Sequence, residues 1–237
     1  MLPSGAAIAG RSAAALYGVG SVGVAEPLDV LVPVGQRFGP VAGLSVRTAE
    51  VAEADVRLKT GIPVTTPLRT CWDLAQWLPV EEAVARVDGL AGQRLVQIDE
   101  LRGSAHDRLG LRGCKRMLRV AELADPGAES VQGSRLRVRL VLAGLPRPVT
   151  RFVGERDGRF VARLDLAWPD LRVAVGYDGL WHDDPEQFHR DRRRLNRLLG
   201  EDWIVLHVTA KRFGEDFDGF LAELHHALRT RTRTRTR

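Results

Sequence analysis

The spacing of apolar and polar residues predicts a mixed domain in the first half of the chain. Helical patterns lie at residues 12–17, 66–78, 80–90 and 109–124, and strand patterns lie at 28–34 and 44–47. Thr66 and Pro67 are suited to cap and begin the second of these helices. An Asp-Pro-Gly break at 125–127 ends the last helix. We therefore place a domain boundary there and predict a smaller α+β domain over residues 1–125.

The second half has a clearer order of elements. Helical patterns lie at 130–143, 185–199 and 217–228, and extended patterns lie at 149–153, 160–168, 171–178 and 203–208. Leu136, Leu140 and Val141 form the apolar side of the first helix. Hairpins are antiparallel, and a helical crossover permits parallel pairing. The order therefore predicts an α/β fold in which helices flank a mixed sheet over residues 129–228.

Charge changes this picture only at the end of the chain. The 237 residues carry 35 Lys+Arg and 30 Asp+Glu, and the alternating Arg-Thr run at 229–237 accounts for the whole excess. The remainder is electrically balanced, which excludes a protein that coats nucleic acid with a uniformly basic surface. Five like charges with no apolar face predict a disordered tail at 229–237 that binds polyanions only weakly.

Cysteine content and the apolar segments indicate the compartment. Cys71 and Cys114 are too few for a disulfide framework, and each is expected to pack as a small apolar group. The stretch at 12–25 is shorter than the about 20 apolar residues that span a bilayer. The amino terminus also lacks a basic leader. We expect a cytoplasmic protein that does not associate with membranes.

The strands at 160–168 and 171–178 carry the candidate acids. If residues 169–170 form a tight turn, Asp165 lies opposite Ala174 and shares a face with Gly176 and Asp178. Asp165 and Asp178 would then lie four residues apart along the ladder, about 13 Å. Gly176 weakens its strand and leaves a gap on the polar face, where an acid would complete a cluster.

Residues after the second strand add a proton carrier and cations. His182 follows the strand, and the predicted helix at 185–199 carries the arginines Arg190, Arg194 and Arg197. Carboxylates bind Mg²⁺, an imidazole moves protons, and guanidinium groups hold phosphate, so the set suits phosphodiester hydrolysis. Asp165, Asp178 and His182 are the candidate catalytic residues, and the two aspartates are the candidate metal ligands. In the structural alternative, Asp178 begins a turn, His182 caps a helix and the arginines form a solvated face.

Six stretches between residues 129 and 228 form a recognisable set. They are Gly133-Ser-Arg-Leu-Arg137, Ala143-Gly-Leu-Pro146, Phe160-Val-Ala-Arg-Leu-Asp-Leu-Ala-Trp-Pro169, Val173-Ala-Val-Gly-Tyr-Asp-Gly179 with His182, Arg190-Asp-Arg-Arg-Arg194 and the Trp203 strand. Through them, residues 129–228 resemble the Vsr-like endonuclease domain of many actinobacterial proteins, known as domain of unknown function 559, a branch of the PD-(D/E)XK restriction-endonuclease-like fold. The resemblance implies a metal-dependent DNA endonuclease that uses Mg²⁺.

The first half has a second set of stretches, Gly10-Arg-Ser-Ala-Ala14, Leu16-Tyr-Gly18 and Thr65-Thr-Pro-Leu-Arg-Thr70 with Asp73-Leu74. Through them, it is similar to a domain that often precedes such nucleases and is related to abortive-infection antitoxins. Proteins of that kind usually begin with a winged helix-turn-helix, which this chain is expected to lack. The resemblance implies DNA as the partner and allows a cognate protein partner.

The chain departs from the nuclease pattern at two acids. The family has glutamate where this chain has Gly133 and Gly176, and both belong to the implied metal site with Asp165. A glycine side chain supplies no oxygen ligand, so Mg²⁺ binding should be much weaker. Glu129 is the nearest substitute for the first acid. We expect a nuclease-fold protein whose catalysis is open to question. The alternatives are a non-catalytic, antitoxin-like regulator that binds nucleic acid or a protein, and a degraded gene product.

Overall fold

The computed structural model describes residues 3–21, 23, 25–36, 38–128, 130–156, 159–178 and 202–235. The chain divides into two compact units, residues 1–135 and 136–237. The amino-terminal unit is the longer one, whereas the sequence predicted the smaller domain there. The fold is α/β, with helices flanking mixed sheets, as the order of elements predicted.

The first unit contains a five-stranded mixed sheet. Its strands are β1 (Ala7–Ile8), β2 (Leu28–Pro33), β3 (Leu44–Ala49), β4 (Val56–Lys59) and β5 (Ile62–Thr65). They are ordered β3-β2-β1-β5-β4, and the β2/β3 and β1/β5 pairs are parallel. Its helices are α1 (Gly10–Leu16), α2 (Pro67–Trp77), α3 (Val80–Gly92), α4 (Ile98–His106) and α5 (Cys114–Leu123), with a 3-10 turn at Glu53–Asp55.

The start of α2 confirms the predicted cap. Thr66 Oγ1 accepts a hydrogen bond from the Arg69 N–H at 3.4 Å, and Pro67 occupies the first turn, where its missing N–H costs nothing. Helix α5 begins at Cys114, later than the pattern at 109–124 predicted, because Gly110 and Gly113 have left-handed φ angles of 87° and 103°.

Helix α6 (Val131–Leu142) contains the division between the two units. The first turn of α6 belongs to the first unit, where Asp88 of α3 forms a hydrogen bond with it. Asp88 Oδ2 accepts from Ser134 Oγ at 2.6 Å, and Oδ1 accepts from the Asp125 N–H at 2.7 Å. These bonds explain why the division falls after the break at 125–127 rather than at it.

The second unit contains a four-stranded mixed sheet. Its strands are β6 (Val149–Arg156), β7 (Arg159–Trp168), β8 (Val173–Asp178) and β9 (Ile204–Thr209). They are ordered β6-β7-β8-β9, with antiparallel β6/β7 and β7/β8 pairs and a parallel β8/β9 pair, which confirms the predicted mixture. Helices α7 (Ala210–Glu215) and α8 (Phe217–Arg235) follow.

The core of the second unit lies between one face of this sheet and two helices. Leu136 and Leu140 of α6 are fully buried, as predicted, whereas Val141 is only half-buried. Val173 and Val175 of β8 meet them from the sheet. From the last helix, the core receives Phe217, Phe220, Leu224, Ala227 and Leu228. This packing fixes which face of β8 is apolar and leaves the other face to the candidate site.

The predicted tight turn at residues 169–170 is wrong. Pro169–Leu171 form a 3-10 turn, and Arg172 follows in the left-handed region with a φ of 50°. The connection is therefore longer than a two-residue turn, and Trp168 pairs with Val173. The register of β7 against β8 moves by two residues, which keeps every side chain on its predicted face but changes its neighbours.

The predicted disorder is also corrected for residues 229–235, because α8 continues to Arg235, and residues 236–237 lie outside the described part of the chain. Helix nucleation is costly and propagation is not, so the packed turns from Phe217 to Leu228 allow the Arg-Thr residues to extend the helix. Arg231 ties this extension down through an ion pair with Asp202 at 2.7 Å.

Candidate functional site

Strands β7, β8 and β9 bring the polar residues of the second unit to one face of the sheet. The β7/β8 register pairs Leu166 with Val175, and its continuation places Asp165 opposite Gly176. In the parallel β8/β9 pair, Gly176 is the partner of His207. Because side chains alternate along a strand, Asp165, Gly176, Asp178 and His207 share the face opposite the α6 and α8 core.

Asp165 lies closer to the other acid than the sequence predicted. It is opposite Gly176 rather than Ala174, so Asp178 becomes its diagonal neighbour, a relationship that spans about 7–8 Å between strands. Asp165 Oδ2 accepts a hydrogen bond from the Tyr177 N–H at 3.4 Å, which directs the carboxylate toward β8. The two aspartates thus lie on neighbouring strands around one glycine.

Asp178 is paired with a histidine that the sequence analysis did not select. His207 Nδ1 lies 3.1 Å from Asp178 Oδ1, and the two side chains are 38% and 28% exposed. An ionised carboxylate only accepts hydrogen bonds, so Nδ1 carries the proton in this pair. The Asp178 carboxylate is therefore already engaged by a protein donor.

His207 also occupies the space beside Gly176. A Cβ atom at position 176 would lie 3.3 Å from both Nδ1 and Cε1 of the His207 ring, and 3.9 Å from Asp165 Oδ2. The imidazole thus lies where a longer side chain at 176 would begin. The alternation of β9 could have identified His207 as a polar-face residue, but its partner depends on a parallel register that neither strand encodes alone.

The described residues do not fit the magnesium centre that the resemblance implies. Asp165 and Asp178 are the two residues that could supply oxygen ligands, and Asp178 is hydrogen-bonded to His207. Among the described residues, no group of three His, Cys, Asp or Glu side chains is arranged to hold a metal ion. Proteins usually hold Mg²⁺ through one or two carboxylates and several waters, and here one of the two carboxylates, Asp178, is already engaged by His207.

Gly133 lies in the first turn of α6, where it has a local role. Its N–H donates to Ser130 Oγ at 3.0 Å, so Ser130 caps the helix. A Cβ atom at 133 would meet that hydroxyl at 3.1 Å. A glutamate at this third helical position would complete a capping box, so the family's acid has a structural use as well as the implied metal role.

Several predicted site residues lie outside the described part of the chain. They are His182, Arg190, Arg194 and Arg197, together with Glu129. Their assignments as proton carrier, phosphate contacts and substitute ligand stay predictions. Of the predicted site residues, the structure describes Asp165 and Asp178, and it adds His207 beside them.

The first unit has a buried ionic cluster centred on Arg69 of α2. Arg69 Nε lies 3.0 Å from Asp73 Oδ1, and Arg69 Nη1 lies 2.7 Å from Asp55 Oδ2. Asp73 is 2% exposed, and within the described residues its Oδ2 has no hydrogen-bond partner. Burial raises the pKa of Asp73 to about 7, and the Arg69 guanidinium offsets only part of that rise.

The cluster fixes elements of the first unit to one another. Arg69 Nη1 also donates to the Glu50 carbonyl at 2.8 Å, so one side chain joins α2 to the segment between β3 and β4. Asp29 of β2 holds Arg11 of α1 through Nε at 3.0 Å. Both arginines are in the stretches that resemble antitoxin-related domains, and both form ion pairs that join elements within the unit.

In the described part of the chain, every helix is too short or too polar to cross a bilayer.

Comparison with known proteins finds similarity to two mycobacterial sequences. They are "Uncharacterized protein MT2308" of Mycobacterium tuberculosis strain CDC 1551 and "Uncharacterized protein Rv2248" of strain H37Rv. Each is 29% identical to this chain over 199 residues, which cover 84% of this chain and 72% of the relative. No protein-family model and no solved structure matches the chain.

Proposed function

We propose that the second unit is a DNA-binding domain descended from a Mg²⁺-dependent endonuclease, in which the hydrolytic site has lapsed. One observation carries the proposal. Asp165 and Asp178 flank Gly176 on adjacent strands, as two acids of a carboxylate cluster would, while the His207 ring lies beside the glycine and holds Asp178. Two acids of the cluster remain, but Asp178 is engaged by His207, and glycine stands at 133 and 176, where the family pattern has glutamate.

The strand order supports the same descent. Helix α6 is followed by a sheet in which the β6/β7 and β7/β8 strand pairs are antiparallel and the β8/β9 pair is parallel. The two acids lie on the middle strands β7 and β8. The resemblance across residues 129–228 favours a nuclease ancestor. Within this proposal, Arg190, Arg194 and Arg197 contact DNA phosphates, and the first unit acts as an antitoxin-like module. We also place the protein in the cytoplasm, since Cys71 and Cys114 are buried as free thiols.

Plasmid nicking in the presence of Mg²⁺ or Mn²⁺ tests the proposal. The native chain is expected not to nick, whereas the Gly133→Glu/Gly176→Glu variant is expected to gain activity. Because a side chain at 176 meets the His207 ring at 3.3 Å, the same pair is also placed in a His207→Ala background. The matched control is Gly133→Gln/Gly176→Gln, which adds equal bulk and can also cap α6 but supplies no carboxylate.

Each outcome decides between the alternatives. Nicking by the glutamate variant, absent from the glutamine variant, supports a lapsed site. Nicking by the native chain that disappears in Asp165→Ala makes the protein an active endonuclease and overturns the proposal. If no variant nicks in either background, descent from a nuclease loses its support, and an antitoxin-like regulator becomes the better account.

A further inference from the structure

The end of α8 is held in place by one arginine of the Arg-Thr run. The buried residues of α8 follow a helical stripe that ends at Ala227 and Leu228, and Arg231 continues it one turn later. Arg231 makes a two-pronged contact with Asp202, Nη1 to Oδ2 at 2.7 Å and Nη2 to Oδ1 at 3.0 Å. This contact lowers the pKa of Asp202 and keeps its carboxylate charged. Arg231 is therefore an anchor.

Arg229 and Arg233 lie on the other side of the same helix. A step of two residues turns a helix by about 200°, so alternate arginines point in nearly opposite directions. Arg229 and Arg233 are both exposed and lie about 6 Å apart along the axis, one turn from each other. Among the residues that the structure describes, neither makes a hydrogen bond or ion pair. His226 lies one turn before Arg229 on the same exposed side.

Within the described part of the chain, these two like charges lie next to each other with no acid paired to them. Arginines four residues apart repel and destabilise a helix by a few tenths of a kcal/mol. No acid occupies the positions three or four residues away from either arginine that could relieve the repulsion. A phosphate backbone placed along this side would neutralise both charges and accept their hydrogen bonds.

We propose that Arg229 and Arg233 form a sequence-independent contact to the phosphate backbone of duplex DNA, held rigid by the Arg231–Asp202 pair. The inference rests on the proposed function, since it gives the same partner a second contact. The contact is separate from the Asp165–Asp178 site. Helix α8 packs against the sheet face of Val173 and Val175, whereas the acids lie on the other face. Asp202 precedes β9, whereas His207 is the fourth residue of that strand.

The salt dependence of DNA binding tests the proposal with the full-length chain. A labelled duplex of random sequence is titrated by fluorescence anisotropy from about 50 to 200 mM salt, a range in which lost phosphate contacts are visible. The variants are Arg229→Ala/Arg233→Ala and the charge-preserving Arg229→Lys/Arg233→Lys. The matched control, Arg112→Ala/Lys115→Ala, removes two exposed charges from the first unit.

The alanine variant is expected to reduce the slope of log K against log salt by about 2, because each neutralised phosphate contributes about 0.9. The lysine variant and the control pair should keep the native slope. An unchanged slope in the alanine variant overturns the proposal, as does an equal loss in the control pair, which would indicate only net charge. The proposal is also overturned if binding to phosphatidylserine vesicles depends on Arg229 and Arg233 while binding to DNA does not. That result assigns the surface to lipid.

The proposed function can fail separately. Absence of any salt-dependent binding by the native chain overturns this contact, while nicking by the glutamate variant still reports on the lapsed site, because that site lies on the other face of the sheet. Conversely, the native chain could nick DNA while the alanine variant shows a salt slope reduced by about 2. Those results support the arginine contact and reject the lapsed site.

Discussion

His207 Nδ1 lies 3.1 Å from Asp178 Oδ1, and the same ring lies beside Gly176 on the neighbouring strand. The histidine therefore does two things at once. It engages Asp178, one of the two acids of the proposed site, and it occupies the space next to Gly176, where the resemblance implies a glutamate. The ring position and the Asp178 contact are thus coupled in one residue.

Gly176→Ala tests that coupling. A methyl group at 176 would lie 3.3 Å from the His207 ring, so the ring must move by a few tenths of an ångström, and alanine should stabilise the strand less than it does without the ring. In a His207→Ala background the clash is absent, and alanine should stabilise the strand by about 0.5–1 kcal/mol because it restricts the unfolded chain. Urea unfolding of the four proteins gives the coupling energy. Equal effects in both backgrounds would contradict the placement of the ring.

Asp73 should make stability depend on pH. Its pKa is raised from an ordinary 3.8 to about 7 by burial, so the fold favours the protonated acid. A raised pKa contributes stability that is complete below the unfolded value and is lost as pH rises through the folded value. Relative to Asp73→Asn, the native chain should therefore lose stability between about pH 4 and 7, by at most about 4 kcal/mol.

Urea unfolding at several pH values measures this difference. The control is Asp99→Asn, which changes an acid whose side chain is 90% exposed and should leave the pH profile unchanged. A constant difference between the native chain and Asp73→Asn across the range would mean that Arg69 keeps Asp73 ionised throughout. That result would contradict the dominance of burial.

Asp88 should be a strong determinant of stability in the first unit. It is fully buried and accepts from both the Asp125 N–H and the Ser134 hydroxyl. Asp88→Ala leaves both donors without this acceptor and should cost about 3 kcal/mol, whereas Ser134→Ala removes one donor and should cost about 1 kcal/mol. Thermal or urea unfolding distinguishes them. Equal small losses would show that solvent satisfies the freed groups.

Arg231→Ala should release the end of α8 without unfolding the domain. The pair with Asp202 is exposed, so its removal should affect local order rather than the global midpoint. Amide exchange should become faster at residues 229–235 and stay unchanged at the buried turns around Phe220 and Leu224. Arg229→Ala is the control, since that side chain makes no such pair with the residues that the structure describes. Unchanged exchange in Arg231→Ala would contradict the anchoring role.

The sequence predicted most of the elements and, of the described site residues, the two aspartates but not His207. Apolar spacing located α6 with Leu136 and Leu140 inward, and strand alternation put Asp165 and Asp178 on the same face. These features depend on local periodicity, which is present in the residues themselves. Elements of two to four residues, such as β1, β4 and β5, are too short for any period to be recognised.

The remaining features depend on pairing between distant segments. The position of Asp165 opposite Gly176 required the longer connection at Pro169–Leu171, where a two-residue turn was the simpler expectation. The meeting of His207 with Asp178 required the parallel register of β8 and β9. The helical end of α8 required a partner for Arg231 that lies 29 residues away, at Asp202. Propensity alone cannot supply contacts of this kind.

Plasmid nicking by the glutamate and glutamine variants at positions 133 and 176 tests the central claim most directly. If the site is a lapsed carboxylate cluster, the native chain does not nick with Mg²⁺ or Mn²⁺. The glutamate variant nicks, either in the native background or in the His207→Ala background, and the glutamine variant nicks in neither. Mg²⁺-dependent nicking by the native chain that Asp165→Ala abolishes would contradict the account.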